Sequence, residues 1–350
     1  MEQDNINVEF DINQIPEPQD ISEVIFSLMV NPNLSPLNYF NDFTDGNVDL
    51  NKLKDNDINE AGVFDLGDGK QLLSMTTHAI HHHIESDPQK AAEILVSRAT
   101  RRMICYGAKP VAITAMLYHI NYADPNGNYI ASAIKTGLQN AAQVYGLQIS
   151  DRKVRFDYFG EHGAQTPTLI VSLLGVMEKD NATGEQRIMS PGFKAKGNNI
   201  YLIGRATDDI ASSDYLEYYH GIGNTPLPEF NLEFEVKLLE TVKSLIDKNL
   251  IMSAAPVAKG GVFFSLLRSG WPKGFGFDIT SVAENRLDAF LFGEAMGRVI
   301  VGVNPELEDA FVDFMYESKA PYFTLGHVTR GEIRIDDQSF GYIDKMSESF

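Results

Sequence analysis

The chain has 350 residues, 43% of them apolar, a formal net charge of −19 and a single cysteine, Cys105. That length suits two domains or one large one, and the apolar share is enough to build a packed core. The acidic balance argues against nucleic-acid and anionic-membrane partners, whose phosphates are met by Lys and Arg, and one cysteine leaves no internal disulfide and no cysteine-based metal site.

Residues 1–18 are polar and acidic, with no basic segment leading into an apolar stretch, so they read as a flexible arm rather than a secretory signal. No apolar run is long enough to cross a bilayer, and a cytoplasmic protein is expected. Ile21, Val24, Ile25, Leu28 and Met29 recur at helical spacing and predict a short helix ended by Asn31-Pro32. Residues 63–66 and 71–77 predict a hairpin about Gly67-Asp68-Gly69. Asp87-Pro88 pairs an N-cap with proline at the first helical position; Ala91, Ala92, Ile94, Leu95, Ala99 and Met103 supply the apolar face that follows, and Gly107 ends it. A strand over 110–118, a helix over 128–145 stopped by Gly146 and a strand over 168–177 complete a first block. A junction is expected over 178–187. The second block holds a strand at 199–204, a long helix at 231–249, a short helix at 260–269, strands at 275–279 and 299–303, a helix at 305–318 and strands at 321–328 and 331–336. This interspersion predicts an α/β or α+β protein of two subdomains.

Several motifs then occur in a telling order. They are Asn31-Pro32-Asn33-Leu34-Ser35 with Tyr39-Phe40-Asn41, Gly107-Ala108-Lys109-Pro110-Val111-Ala112-Ile113-Thr114, Asn121 with Pro125, Ser190-Pro191-Gly192-Phe193-Lys194, Gly260-Gly261, Phe292-Gly293-Glu294 with Arg298, and Gly326 with Val328. In this order, over nearly the whole chain, they resemble the second half of phosphoribosylformylglycinamidine synthase (formylglycinamide ribonucleotide amidotransferase), within the aminoimidazole ribonucleotide synthetase-like superfamily. The resemblance implies an α+β fold with an N-terminal subdomain over 19–178, contributing strands to an interface β-barrel, and a C-terminal α/β subdomain over 179–350. It also implies a homodimer, or pairing with a separately encoded first-half or glutaminase partner, because the interface strands would otherwise stand as an exposed edge.

The family phosphorylates an amide or carbonyl oxygen with ATP. That chemistry takes carboxylates to hold magnesium on the triphosphate and glycines to let backbone approach phosphate. Position by position this chain departs from it. The "KTDG" segment is Met75-Thr76-Thr77-His78, the aspartate of "AITD" is Ala115, "GGNVS" falls on Asp151-Arg152-Lys153-Val154-Arg155, and "HDVSDGG" is Ala255-Pro256-Val257-Ala258-Lys259-Gly260-Gly261. ATP and magnesium, implied by the family, thus lose their expected ligands, and no cofactor is required by the residues that remain. By position, the candidate ligand contacts are Thr76, His78, Asn121, Arg152, Lys153, Lys259, Gly260, Gly261, Glu294 and Arg298; no catalytic residue is assigned. Arg152, Lys153 and Arg155 are either a solvated face or direct ligands for a phosphate or carboxylate. Glu294 and Arg298, four apart, would pair on a helix. Gly260-Gly261 opens a predicted helix, a position suited to an anion or to close packing. His78, His81, His82 and His83 fall on the loop before the helix at 87, where His81 and His83 could hold a metal or simply form a polar loop. His119, Asp157, Glu161 and His162 could form an acid–base set, though a polar loop over 157–167 explains them equally well. The expected function is that of a divergent relative in purine biosynthesis without magnesium-dependent ATP turnover of its own. The alternatives are a non-catalytic module for a phosphorylated metabolite or nucleotide, and a pure interaction subunit.

Overall fold

In a computed structural model of the chain, the residues described are 11–31, 34, 62–65, 71–81, 83–178, 189–223 and 225–347. The motif at 35–41, the hairpin tip at 67–69, the junction at 179–187 and His82 lie outside them.

The first subdomain is a five-stranded sheet in the order β1-β2-β7-β3-β4, with helices α2 and α3 on one face. Its elements are β1 Gly62–Asp65, β2 Gln71–Ile80, α2 Pro88–Cys105, β3 Lys109–Tyr118, α3 Pro125–Tyr145, β4 Gln148–Val154, a two-residue pair at Phe159–Gly160 (β5) and Gly163–Ala164 (β6), and β7 Thr168–Glu178. The helix ends follow local chemistry. Asp87 caps α2 by accepting from the Lys90 amide at 3.0 Å, and Pro88 stands in its first turn. Asp124-Pro125 repeats that device, so α3 starts three residues before the expected 128; Gly146 closes it at φ +66°. α3 is the crossover that makes β3 and β4 parallel, while the other pairs in this sheet are antiparallel. The expected hairpin pairs in register Gly62↔Met75 to Asp65↔Leu72.

The second subdomain is a seven-stranded sheet in the order β14-β13-β10-β12-β8-β11-β9. Its elements are β8 Asn199–Gly204, α4 Leu232–Asp247, β9 Ser253–Pro256, α5 Gly261–Gly270, β10 Phe277–Ile279, α6 Leu287–Phe292, β11 Arg298–Val303, α7 Glu308–Ser318, β12 Tyr322–Val328, β13 Glu332–Ile335, β14 Gln338–Tyr342 and α8 Ile343–Ser347. β8 and β11 are buried on both faces. Ile200, Leu202 and Ile300 face α5 and α6, while Tyr201, Ile203, Val299 and Val301 face α4 and α7. A strand covered on both sides reads as an unbroken apolar run, which is why these two were plain in the sequence. Helix α1, Ile21–Met29, was grouped by sequence with the first subdomain; instead it buries Val24, Ile25, Leu28 and Met29 in the second subdomain's core, against Tyr215 and Leu216. Arg286 holds the segment before it by donating to the Ile12 and Ile15 carbonyls at 2.8 and 3.0 Å.

Three expectations change. His78 is not on a loop: β2 runs to Ile80 and carries it. Residues 151–154, aligned with a glycine-rich segment of the family, lie in the edge strand β4, and its charges keep that edge soluble. Glu294 and Arg298 do not share a helix: α6 ends at Phe292, Gly293 is extended, and Arg298 opens β11. No helix among the described residues is long and apolar enough to cross a membrane.

The two subdomains meet along α2, which packs on α4 and β9. Cys105 is buried in the second subdomain's core, with Ile104 packed beside it. This contact makes the end of β2, the middle of α2 and the β9–α5 turn the walls of one cleft.

Candidate functional site in the inter-subdomain cleft

The cleft has a volume of about 280 Å³ and is lined by His78 of β2, Arg98, Arg101 and Arg102 of α2, Lys259 before α5, and Glu294 and Met296 before β11. A wider chamber of about 600 Å³ shares Arg98, Lys259 and Glu294 with it and adds His81, His83, Ser212, Asp214 and Tyr218. The arginines are spaced i, i+3, i+4, so one helix face presents all three. The groove between α4 and α7 is larger, about 460 Å³, but mixes Lys237 and Lys319 with Glu240 and Glu317 and gathers no net charge.

Arg101 is 2% exposed. Its Nε lies 3.3 Å from Glu235 Oε1 on α4, and its Nη2 donates to Met296 Sδ at 3.0 Å. Its Nη1 is buried without a hydrogen-bond partner. Arg98 carries no hydrogen bond or ion pair among the described residues. Burial lowers its pKa; Arg101 acts in the same sense, and Glu294 opposes them. His78 Nε2 lies 3.1 Å from Thr76 Oγ1, and burial, then Arg102, Arg98 and Arg101, push its pKa down to about 3. The imidazole is therefore neutral throughout the physiological range.

Opposite the arginines, Glu294 Oε1 accepts from the Gly260 and Asp214 amides, both at 2.9 Å. Gly260 and Gly261 sit at φ +76° and +70°, which turns the Gly260 N–H toward that carboxylate. The anion site expected at Gly260-Gly261 is thus occupied by the protein's own Glu294. Arg298, wholly buried, anchors the turn that carries Glu294 by donating to the Gly293 and Ala295 carbonyls at 2.6 and 3.2 Å. It buttresses the site from behind rather than lining it. Burial and the neighbouring Asp214 push Glu294 up to about pH 7. Asp214 is also raised, by burial, although Lys259 at 3.5 Å opposes the shift; its Oδ2 is buried without a partner.

These donors do not suit a magnesium ion. One carboxylate is spent on two amides, the other faces Lys259, both favour a retained proton, and the guanidinium of Arg98 stands nearby. Among the described residues no three His, Cys, Asp or Glu side chains form a metal-binding group. The cleft suits an anion instead, which the Arg98 guanidinium could receive in a bidentate geometry.

The remaining expected contacts lie elsewhere. Asn121 accepts from the Ala123 amide at 3.1 Å and shapes the turn into α3. Arg152 and Lys153 border a different cavity, behind β4. His81 and His83 line the wider chamber. His119 and Asp157 are tied to each other, the Asp157 carboxylate accepting from the His119 amide at 3.0 Å. Sequence reasoning missed Arg98, Arg101, Arg102 and Asp214. The signal for the arginines was present: cations at 98, 101 and 102 interrupt the apolar pattern of a helix whose neighbours are all core.

Residues 59–177 match the AIR synthase related protein N-terminal domain, and residues 195–337 match its C-terminal domain. The phosphoribosylformylglycinamidine synthase subunit PurL of Alkaliphilus metalliredigens is 28% identical over 325 residues, 93% of this chain and 43% of the relative. The chain therefore spans less than half the length of that relative. Among solved structures, T. maritima PurL complexed with FGAR superposes with a TM-score of 0.68 at 16% identity, over 82% of this chain and 48% of that one. AaThiL complexed with AMPPCP and TMP superposes with a TM-score of 0.57 at 15% identity, over 83% of this chain and 94% of that one.

Proposed function

Because the chain belongs to the AIR synthase related family and carries both of its domains in order, we propose that it is a PurL-like module of purine biosynthesis whose cleft takes a phosphorylated ligand on arginine side chains, without magnesium-dependent ATP turnover of its own. The observation that carries this reading is the convergence of Arg98, Arg101, Arg102 and Lys259 on one cleft, with Arg101 Nη1 buried and unpartnered. In this reading a phosphate displaces water from the arginine face, the neutral His78 lends a hydrogen bond, and Glu294, with its pKa pushed up to about 7, is only partly charged at neutral pH and repels the anion less.

Thermal unfolding with ATP and with ribose 5-phosphate, in buffer containing EDTA, tests the reading. A rise in Tm that saturates with ligand, and that Arg98→Ala and Lys259→Ala reduce, supports it; a rise that appears only on adding magnesium sinks it. Rescue of a purine auxotroph by the gene would tie the ligand to the pathway.

The module is also proposed to act in pairs. On β2 and β7 the face away from α2 and α3 is largely apolar: Leu73 stands opposite Val176, Met75 opposite Leu174 and Ala79 opposite Ile170, with Met75 45% exposed and the hydrogen-bonded hydroxyls of Thr77 and Ser172 between them. A sheet face of this kind is buried by another sheet face. A second copy supplies one, and a separately encoded half is the other candidate.

A further inference from the structure

Arg152 and Lys153 do not reach the cleft; they stand at the mouth of a second cavity, of about 350 Å³, between α3 and strands β3 and β4. Its walls are mostly apolar, Ala115, Leu117, Ile134, Leu138, Ile149 and Leu169, with the hydroxyl of Ser132 among them. Lys135 of α3 joins the two cations at the rim, and no carboxylate lines the cavity. Among the described residues no side-chain hydrogen bond or ion pair engages Lys135, Arg152 or Lys153, whereas the adjacent Arg155 is taken by Asp157 at 3.5 Å. In a chain of net charge −19, uncommitted cations beside an apolar slot are a local reversal of the surface field.

An apolar pocket of a few hundred Å³ with a few polar groups at one end is the usual form of a small-molecule site. We propose that this cavity binds a single-chain amphipathic carboxylate of the fatty-acid type, its chain in the slot and its carboxylate on Lys135 and Arg152; Arg152 pairs with Ala115 on the cavity face of the sheet, while Lys153 pairs with Met116 and flanks the rim from the other face. A phosphorylated polar metabolite is the poorer fit, because beyond Ser132 the apolar walls offer its hydroxyl groups no side-chain partner. A neutral hydrocarbon would leave the cations without a role. A methylene is about the size of a water molecule, whose share of liquid volume is about 30 Å³. The slot therefore holds on the order of ten methylenes, the length of a medium-chain acid. The site is separate from the cleft and does not depend on what the cleft binds.

Calorimetric titration of the full chain with dodecanoate, below its micellar concentration, tests the assignment. The expected result is saturable binding of one equivalent, tightening about fourfold for each methylene between octanoate and dodecanoate. Lys135→Glu, at an exposed position outside the core, and Arg152→Glu each weaken it by roughly tenfold or more. Ala131→Trp, which fills the slot, abolishes it, while the circular dichroism spectrum and the response of the cleft to pyrophosphate stay as in the unaltered chain. Absence of binding, equal affinity for dodecyltrimethylammonium, or unchanged affinity in Lys135→Glu overturns the proposal. So does sedimentation with phosphatidylglycerol vesicles in the absence of dodecanoate uptake, which would make the cationic rim a membrane contact.

Discussion

Glu235→Ala removes the carboxylate that faces Arg101 across the subdomain boundary. The two groups are 3.3 Å apart, with side chains 1% and 3% exposed. At that distance, with an effective dielectric constant of about 20, the attraction is about 5 kcal/mol. Desolvation of the two charges offsets much of it, so the pair itself adds little, but deleting one member strands the other. Arg101 already has Nη1 unsatisfied, and Glu235 is otherwise held by the Gly297 amide. The expected loss is about 3–5 kcal/mol. If the 350 residues unfold as one unit, the entropy of unfolding is about 0.7 kcal/mol/K, which makes the fall in Tm about 4–7 °C. The double variant Arg101→Met/Glu235→Leu should recover to within about 1 kcal/mol of the starting chain, because it leaves no buried charge. Urea unfolding of the starting chain, Arg101→Met, Glu235→Leu and the double variant closes the cycle. If the double variant loses the sum of the two single losses, the pair is not coupled and the account of the boundary is wrong.

Other outcomes follow from the same geometry. Glu294 moves from an ordinary 4.5 to about 7 on folding, so between those values the folded chain holds a proton that the unfolded chain has released. Stability should therefore fall as pH rises from about 4.5 to about 7 and level off above; Asp214 and Glu235, also raised, act in the same sense. Glu294→Gln should flatten the slope between urea midpoints measured at pH 5 and pH 8, and an unaltered slope would show that Glu294 does not titrate there. At Gly261 (φ +70°) an added Cβ would lie 2.5 Å from the Leu291 carbonyl and 2.6 Å from that of Gly293, so Gly261→Ala should cost about 2–5 kcal/mol by chemical denaturation. Met75→Glu/Leu174→Glu should convert a dimer to monomer in sedimentation velocity; a chain that is monomeric before substitution would remove the pairing proposal.

The sequence carried the fold well wherever a strand or helix is defined by its own residues. Asp87-Pro88, Gly146 and the apolar runs at 199–204 and 299–303 act locally, and the structure places elements there. What escaped was set by distant partners. β9 and α6 are too short to show a period of their own and are held by β11 and α5. β4 was assigned no element because an edge strand with one solvated face has little apolar signal. Of the expected contacts, His78, Lys259 and Glu294 line the cleft. Sequence reasoning assigned Gly260 a ligand that Glu294 already supplies, and it put Arg152 and Lys153 in the wrong cavity. The arginines of α2 were overlooked because no motif marks them; only the burial of the helix that carries them, and its contact with α4 and β9, turns three charges into a site.

The central claim, that arginines rather than metal-bound carboxylates receive an anion in this cleft, is tested most directly by calorimetric titration of the chain with pyrophosphate, in EDTA and again with excess magnesium. Saturable binding in EDTA, not strengthened by magnesium and weakened roughly tenfold or more by Arg98→Ala, is the predicted result. Binding that requires magnesium, or that Arg98→Ala and Lys259→Ala leave unchanged, would contradict it.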